Sequence, residues 1–322
     1  MKGLKRPALV RALLAAASFL ALAIIAGCAS GYAEPFDFNN LVFDYFTVSG
    51  SDGKYVVITK HLVSQTDVRI PDTIYGIPVR ETADSVFAGD GKIQTVSFGK
   101  NVVRIGSNSF GGCKNLRTVT FNAGITDVGE YAFKDCVSLP SITLPENLGS
   151  LGRGAFYGCT SLTEISVPQT IRKVGGMAFY NTAWLNAQSE QKFVSVGDGI
   201  LIAYNGDKAE VKLPKSVRQI AGAFAGNIVV EKVTLNSGLI SVGDRAFMSC
   251  TSLKSVSIPS SVTEIGSNAF YGCASLGKLT LGEGIQTIGQ DAFTDCGAAL
   301  YLKKSSAAEK YCIDNGLDYF GQ

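Results

Sequence analysis

The chain has 322 residues, of which 17% are charged, and a formal net charge of +2. Lys2, Lys5, Arg6 and Arg11 lie ahead of residue 28 with no acid among them, so the remainder holds 25 basic against 27 acidic side chains, a net of −2. No basic face for nucleic acid follows from that balance, and a single histidine, His61, offers one candidate base for a nucleophilic triad.

Residues 1–27 read as an export signal. Met1 to Arg11 is basic, and Ala12 to Ala26 is apolar apart from Ser18. That run is too short to span a bilayer comfortably and has the charged lead of a signal peptide. It ends in Ile25-Ala26-Gly27-Cys28. This resembles the lipobox of bacterial lipoproteins, in which cleavage precedes the cysteine and its thiol takes a diacylglycerol. A lipidated Cys28 would hold the chain on a membrane, because two or more acyl chains anchor stably where one does not. Residues 28–40 would then be a flexible tether.

Residues 41–62 read as an N-terminal β-hairpin cap. Leu41 to Thr47 and Lys54 to Thr59 flank Ser49-Gly50-Ser51-Asp52-Gly53, and Asp-Gly between β-rich runs signals a hairpin. From residue 63 to 300 one unit recurs. Phe87, Phe110, Phe133, Phe156 and Phe179 are spaced by 23 residues, as are Phe224, Phe247, Phe270 and Phe293. A fixed period in this range marks a leucine-rich repeat solenoid, in which each coil packs only on its neighbours. The fold class is therefore a β-rich repeat solenoid of roughly ten coils with short parallel strands. Leu139, Ile142 and Leu144, or Leu253, Val256 and Ile258, are the inward residues of such strands. Gly106, Gly129, Gly152, Gly175, Gly243, Gly266 and Gly289 form one small-residue column. A second, two residues after each Phe, is Gly, Asp, Asn or Ser throughout, which predicts a left-handed bend in every coil.

Cys113, Cys136 and Cys159, then Cys250, Cys273 and Cys296, share one column of the repeat. Three in a block cannot all pair, and the column also carries Asp90, Thr182 and Asn227, so buried free thiols are the preferred reading. With one histidine there is no metal site. The 45-residue interval between Phe179 and Phe224 holds an altered coil. Phe193 to Val196 and Ile200 to Tyr204 around Gly197-Asp198-Gly199 predict a protruding hairpin within an insert at about 182–207. Trp184, the only Trp, sits at its base, either packing the join or forming a binding edge. Residues 301–322 read as a helical cap, with Ser306-Ala307-Ala308-Glu309 as a capping box and Gly316 just past the helix end. Cys312 would pack beneath that helix, with a Cys296–Cys312 bridge as the alternative.

The pattern Ile-Gly-x-x-Ala-Phe-x-x-Cys-x-x-Leu-x-x-Val-x-Ile-Pro, matched from Val242 to Pro259 at every position but the first and in part elsewhere, resembles the BspA-type leucine-rich repeat of bacterial surface proteins. The resemblance covers about residues 63 to 300. It implies a cell-surface lipoprotein, some relatives of which bind host matrix proteins or mediate co-aggregation, and it brings no catalytic residues. The glycines recur at coil spacing and make no phosphate loop, and His61 reads as a surface residue. The chain is expected not to be an enzyme and to need no cofactor.

The strand face is the candidate binding surface. Its middle outward position reads Ser97, Thr120, Thr143, Ser166, Thr234, Ser257 and Thr280, with Lys232, Lys254 and Lys278 beside it. Such hydroxyls suit solvent-facing strands in any case, but as a flat polar ribbon they would dock an extended protein partner, a host matrix or envelope protein. The alternatives are a structural envelope component and a carbohydrate binder, the latter needing aromatics that the ribbon barely shows.

Overall fold

The computed structural model describes residues 41–43, 46–51, 54–62 and 64–321. The export signal, Cys28 and the tether lie outside the described residues. The chain winds as a β-solenoid of about 12 turns with parallel strands and little helix. Each turn contributes to two ladders. One holds the three- and four-residue strands of the ribbon, such as Ser141–Thr143 beside Glu164–Ser166. The other holds two-residue strands: Arg104–Ile105, Asp127–Val128, Ser150–Leu151 and Lys173–Val174, paired in parallel and in register.

Register follows from the repeat. Equivalent residues are 23 apart, so side chains of one kind stack on their counterparts, and the apolar set of every coil falls on the same inner line. The phenylalanines show this directly. Phe87, Phe110, Phe133, Phe156 and Phe179 stack face to face with centroids 4.7, 5.4, 5.4 and 6.1 Å apart. Phe224, Phe247, Phe270 and Phe293 do the same at 5.1, 5.3 and 5.9 Å. All nine are buried. Full burial of a phenylalanine stabilises by roughly 1.5–3 kcal/mol, and stacking adds to it.

There are two files of rings, not one. Trp184 packs edge-on against Phe179 at 5.5 Å and ends the first. Tyr204 lies on Phe224 at 5.0 Å and starts the second, which Tyr311 closes edge-on against Phe293. The first file begins with His61, 4.9 Å from Phe87. Expected at the surface, the His61 side chain is only 5% exposed and lies 3.4 Å from Asp90. Burial holds its pKa below the ordinary value, with Asp90 pulling the other way.

Two backbone features shape each coil. The residue two after every Phe has positive φ, as its composition predicts, from Gly89 to Asp295. So does the residue two before: Ser85, Asn108, Tyr131, Gly154, Met177, Gly222, Arg245, Asn268 and Asp291. This second bend escaped the sequence because Tyr, Met and Arg do not advertise a left-handed conformation. The other glycine column has a different cause. A Cβ on Gly152 would lie 2.4 Å from Glu130 N, and one on Gly175 2.3 Å from Arg153 N. The rungs touch there, backbone to backbone.

The cysteine column is buried except at its last member, the half-buried Cys296, and the described cysteines are free. The thiols of Cys113, Cys136, Cys159, Cys250 and Cys273 donate to the carbonyl of the Phe 26 residues earlier, as in Cys159 to Phe133 at 3.1 Å and Cys250 to Phe224 at 2.9 Å. Where the column is polar the side chain closes a turn instead. Asn227 Oδ1 accepts from Val229 and Val230 N, and Thr182 Oγ1 accepts from Leu185 N to cap a short helix, Ala183–Asn186.

Three local expectations are corrected. Leu41 to Thr47 is not one strand: Leu41–Phe43 turns back antiparallel on Phe46–Ser51, which pairs in turn with Tyr55–His61. The hairpin of Phe193–Val196 and Ile200–Tyr204 does not protrude. Its second strand pairs in parallel with Gln219–Ile220, and Val194, Ile200 and Leu201 are buried. These residues are apolar because they face the core. At the other end, the helix Ala307–Asp314 is capped by Ser306, but Glu309 reaches back to Ser305 N, and Tyr319–Gly321 adds a further parallel strand on Ala299–Leu302.

Candidate functional site

The ribbon residues fall in line as the repeat demands. Ser97 faces Thr120, Thr143 faces Ser166, and Ser257 faces Thr280 across paired strands. Thr120, Thr143, Ser166, Thr234 and Ser257 are exposed, while Ser97 and Thr280 are half-buried. The strands form because β-branched and hydroxyl residues alternate with inward Val, Ile and Leu, which fits a sheet with one wet face.

The charged neighbours are mostly satisfied. Lys254 Nζ is 2.8 Å from Glu231, and Lys232 Nζ is 3.8 Å from Glu210. Lys278 Nζ lies over the Tyr301 ring at 4.4 Å. At the N-terminal end the hydroxyls of Thr95 and Thr66 donate to Asp67 and hold its carboxyl below the ordinary range. The face is therefore dominated by neutral hydroxyls, with little net charge to steer a partner.

The ribbon is not continuous. Its strands group as sheets of three, two and six. The first gap follows from Pro140. Arg117 N donates to Gln94 O and Thr163 N to Pro140 O, whereas Pro140, the residue at the equivalent point between them, has no N–H to give. The second gap lies between Glu164–Ser166 and Glu210–Lys212, where the insert intervenes. Ser97 to Ser166, itself split at Pro140, and Thr234 to Thr280 are the two arcs on either side of the insert, and Trp184 of that insert is half-buried on Phe179 instead of presented at an edge.

Sequence reasoning missed the aromatic end of the second arc. Tyr301 extends the Thr280 column and stacks at 4.9 Å on Phe320. Their place became visible only when Tyr319–Gly321 was seen to pair. It also missed Asn122 and Asn236. Asn122 Nδ2 donates to Gly99 O and Val102 O, and Asn236 Nδ2 donates to Pro214 O and Val217 O. Each ties the bend after one strand to the bend of the coil before. Among the described residues no cluster of His, Cys, Asp and Glu could hold a metal ion.

Comparison with known proteins fits this geometry. The family model for the BspA type leucine rich repeat region matches residues 80–201 and 203–310, in 6 copies. Among solved structures, a leucine-rich repeat protein of T. pallidum is similar at 21% identity and a TM-score of 0.44, over 88% of this chain and 98% of that one. A leucine-rich cell surface protein of Faecalibacterium prausnitzii is similar at 20% identity and a TM-score of 0.36, over 87% and 98%. The pneumococcal vaccine antigen PcpA is similar at 17% identity and a TM-score of 0.39, over 88% and 98%. No curated protein matches the chain.

Proposed function

Because the chain belongs to the BspA-type leucine-rich repeat family, we propose that it is an exported, lipid-anchored surface protein that binds a protein partner and catalyses nothing. The observation that supports this reading is the hydroxyl column, held in register within each sheet and mostly exposed. Such a surface binds by shape and by many weak polar contacts. The partner is a host matrix or envelope protein, and the membrane is reached through diacylglycerol on Cys28.

The test is binding by a variant with Thr120→Glu, Thr143→Glu and Ser166→Glu together. Immobilised matrix proteins and envelope extract are the targets. Circular dichroism should be unchanged, because all three side chains point to solvent, while partner capture falls by about tenfold or more. Undiminished capture by the folded variant rejects the first arc as the docking surface. For the anchor, Cys28→Ala should abolish incorporation of labelled fatty acid into the exported protein. Equal labelling of the variant would refute lipidation at this residue.

A further inference from the structure

The break between the two files of rings opens a cleft. The halves touch where Gly222 meets Gly176, so closely that a Cβ on Gly222 would lie 2.9 Å from the Gly176 Cα. A clasp from Lys173 to Glu264 at 2.8 Å also joins them. They part on the side of the turns that follow each phenylalanine. The space between has a volume of about 710 Å³, within the range of small-ligand sites. Tyr180 and Asn181 line one wall, Met248 and Ser249 the other, and Asn186 and Ser189 of the insert close one end.

The missing rung leaves a row of donors at this cleft. In the coil before, Gly154, Phe156 and Gly158 N–H groups donate to the carbonyls of Gly176, Ala178 and Tyr180. The equivalent N–H groups of the next coil belong to Met177, Phe179 and Asn181. Among the described residues none of these three has an acceptor, because the following coil is displaced by the insert. The row offers donors only, since the carbonyls between them are already taken. Arg245 stands at its Met177 end. Among the described residues the one polar partner of its side chain is the Met177 Sδ at 3.7 Å, and its Nε is buried without a hydrogen bond. A guanidinium with no carboxylate beside it, next to a row of free N–H groups, makes an oxyanion site.

The rim supplies a second kind of recognition. Tyr180 is 52% exposed and stacks on Tyr157 at 5.5 Å, which fixes its ring as a flat platform. The other polar lining side chains are neutral: the amides of Asn181, Asn186 and Asn205 and the hydroxyls of Ser189, Tyr204 and Ser249. We propose that this cleft binds an acidic sugar, with its carboxylate on the N–H row and Arg245, its ring face on Tyr180 and its hydroxyls on the amides. A peptide adding itself as a strand is disfavoured, because it would bring donors as well as acceptors to a row that has only donors.

The test titrates the folded chain from Ala29 onward with glucuronate, N-acetylneuraminate, glucose, inorganic phosphate and a short peptide with a free carboxyl terminus, by calorimetry or NMR. One of the two acidic sugars should bind saturably, at least ~10-fold tighter than glucose, phosphate or peptide. Arg245→Gln should weaken that binding by ~10-fold or more and remove its sensitivity to salt. Tyr180→Ala, at an exposed position and so harmless to folding, should weaken it by ~5-fold or more. The proposal is overturned if neither acidic sugar saturates, if glucose, phosphate or peptide binds as tightly, or if both variants bind as the parent does.

Discussion

The close contact of successive rungs can be tested with two glycines of one coil. Gly152 and Gly149 both have ordinary φ, so neither is needed for its conformation. They differ in what a methyl would meet. On Gly152 it would lie 2.4 Å from Glu130 N and Gly129 C, which are backbone atoms of the neighbouring rung and cannot swing aside. On Gly149 the nearest atom is Thr126 O at 3.6 Å, an ordinary contact. Either change to alanine restricts the unfolded chain and stabilises by roughly 0.4–1 kcal/mol. For Gly152→Ala that gain is set against an overpacking cost of about 3 kcal/mol or more. Net, Gly152→Ala should lose about 2 kcal/mol or more, while Gly149→Ala should be neutral or gain up to about 1 kcal/mol. Urea unfolding followed by circular dichroism reads both. Hydrogen exchange should rise in the coils that bracket Gly152 and fade away from them, since a solenoid couples neighbours. Equal stability of the two variants, within about 0.5 kcal/mol, would refute the claim that the column exists for backbone contact.

Other consequences follow from buried polar groups. Burial pushes the thiols of Cys113, Cys250 and Cys273 up to about 12, so iodoacetamide at pH 8 should leave them unmodified until urea unfolds the chain; rapid labelling of the native protein would contradict this. His61 is held neutral by burial, its folded pKa below the ordinary imidazole value of about 6.5. Its contribution is complete above pH 6.5 and is lost as pH falls toward the folded value, so the melting temperature should drop between pH 7.5 and 5, and less steeply in His61→Phe. A melting temperature that climbs on acidification would show the sign to be wrong. Asn122→Ala removes two donated bonds and the acceptor for Gly124 N and should cost roughly 2 kcal/mol in the same urea assay, against almost nothing for the exposed Asn147→Ala, whose one bond is to Ala123 O.

Much of this architecture was legible because a repeat makes each position a column. Nine phenylalanines at one spacing give a register, and register gives the inward and outward faces, the bend two residues after each Phe, and the place of the cysteines. Columns that hold one kind of residue could be read because the same physical demand recurs in every coil. The bend two residues before each Phe satisfies an equally regular demand with Ser, Asn, Tyr, Met and Arg. At Ser85, Asn108, Tyr131, Arg245 and Asn268 the backbone N–H donates to the next coil, and the side chain tells nothing.

The ends and the break were decided by tertiary contacts alone. Whether Phe193 to Tyr204 projects or joins the sheet depends on Gln219 and Ile220 being free to pair with it, and His61 is buried because Phe87 needs a ring above it. The 45-residue interval announced an interruption. Only the packed halves show that it strands three N–H groups beside an arginine that has no counterion among the described residues. A periodic chain states what each rung is made of, but where the period fails, the partners of the exposed groups are set by how two finished surfaces meet.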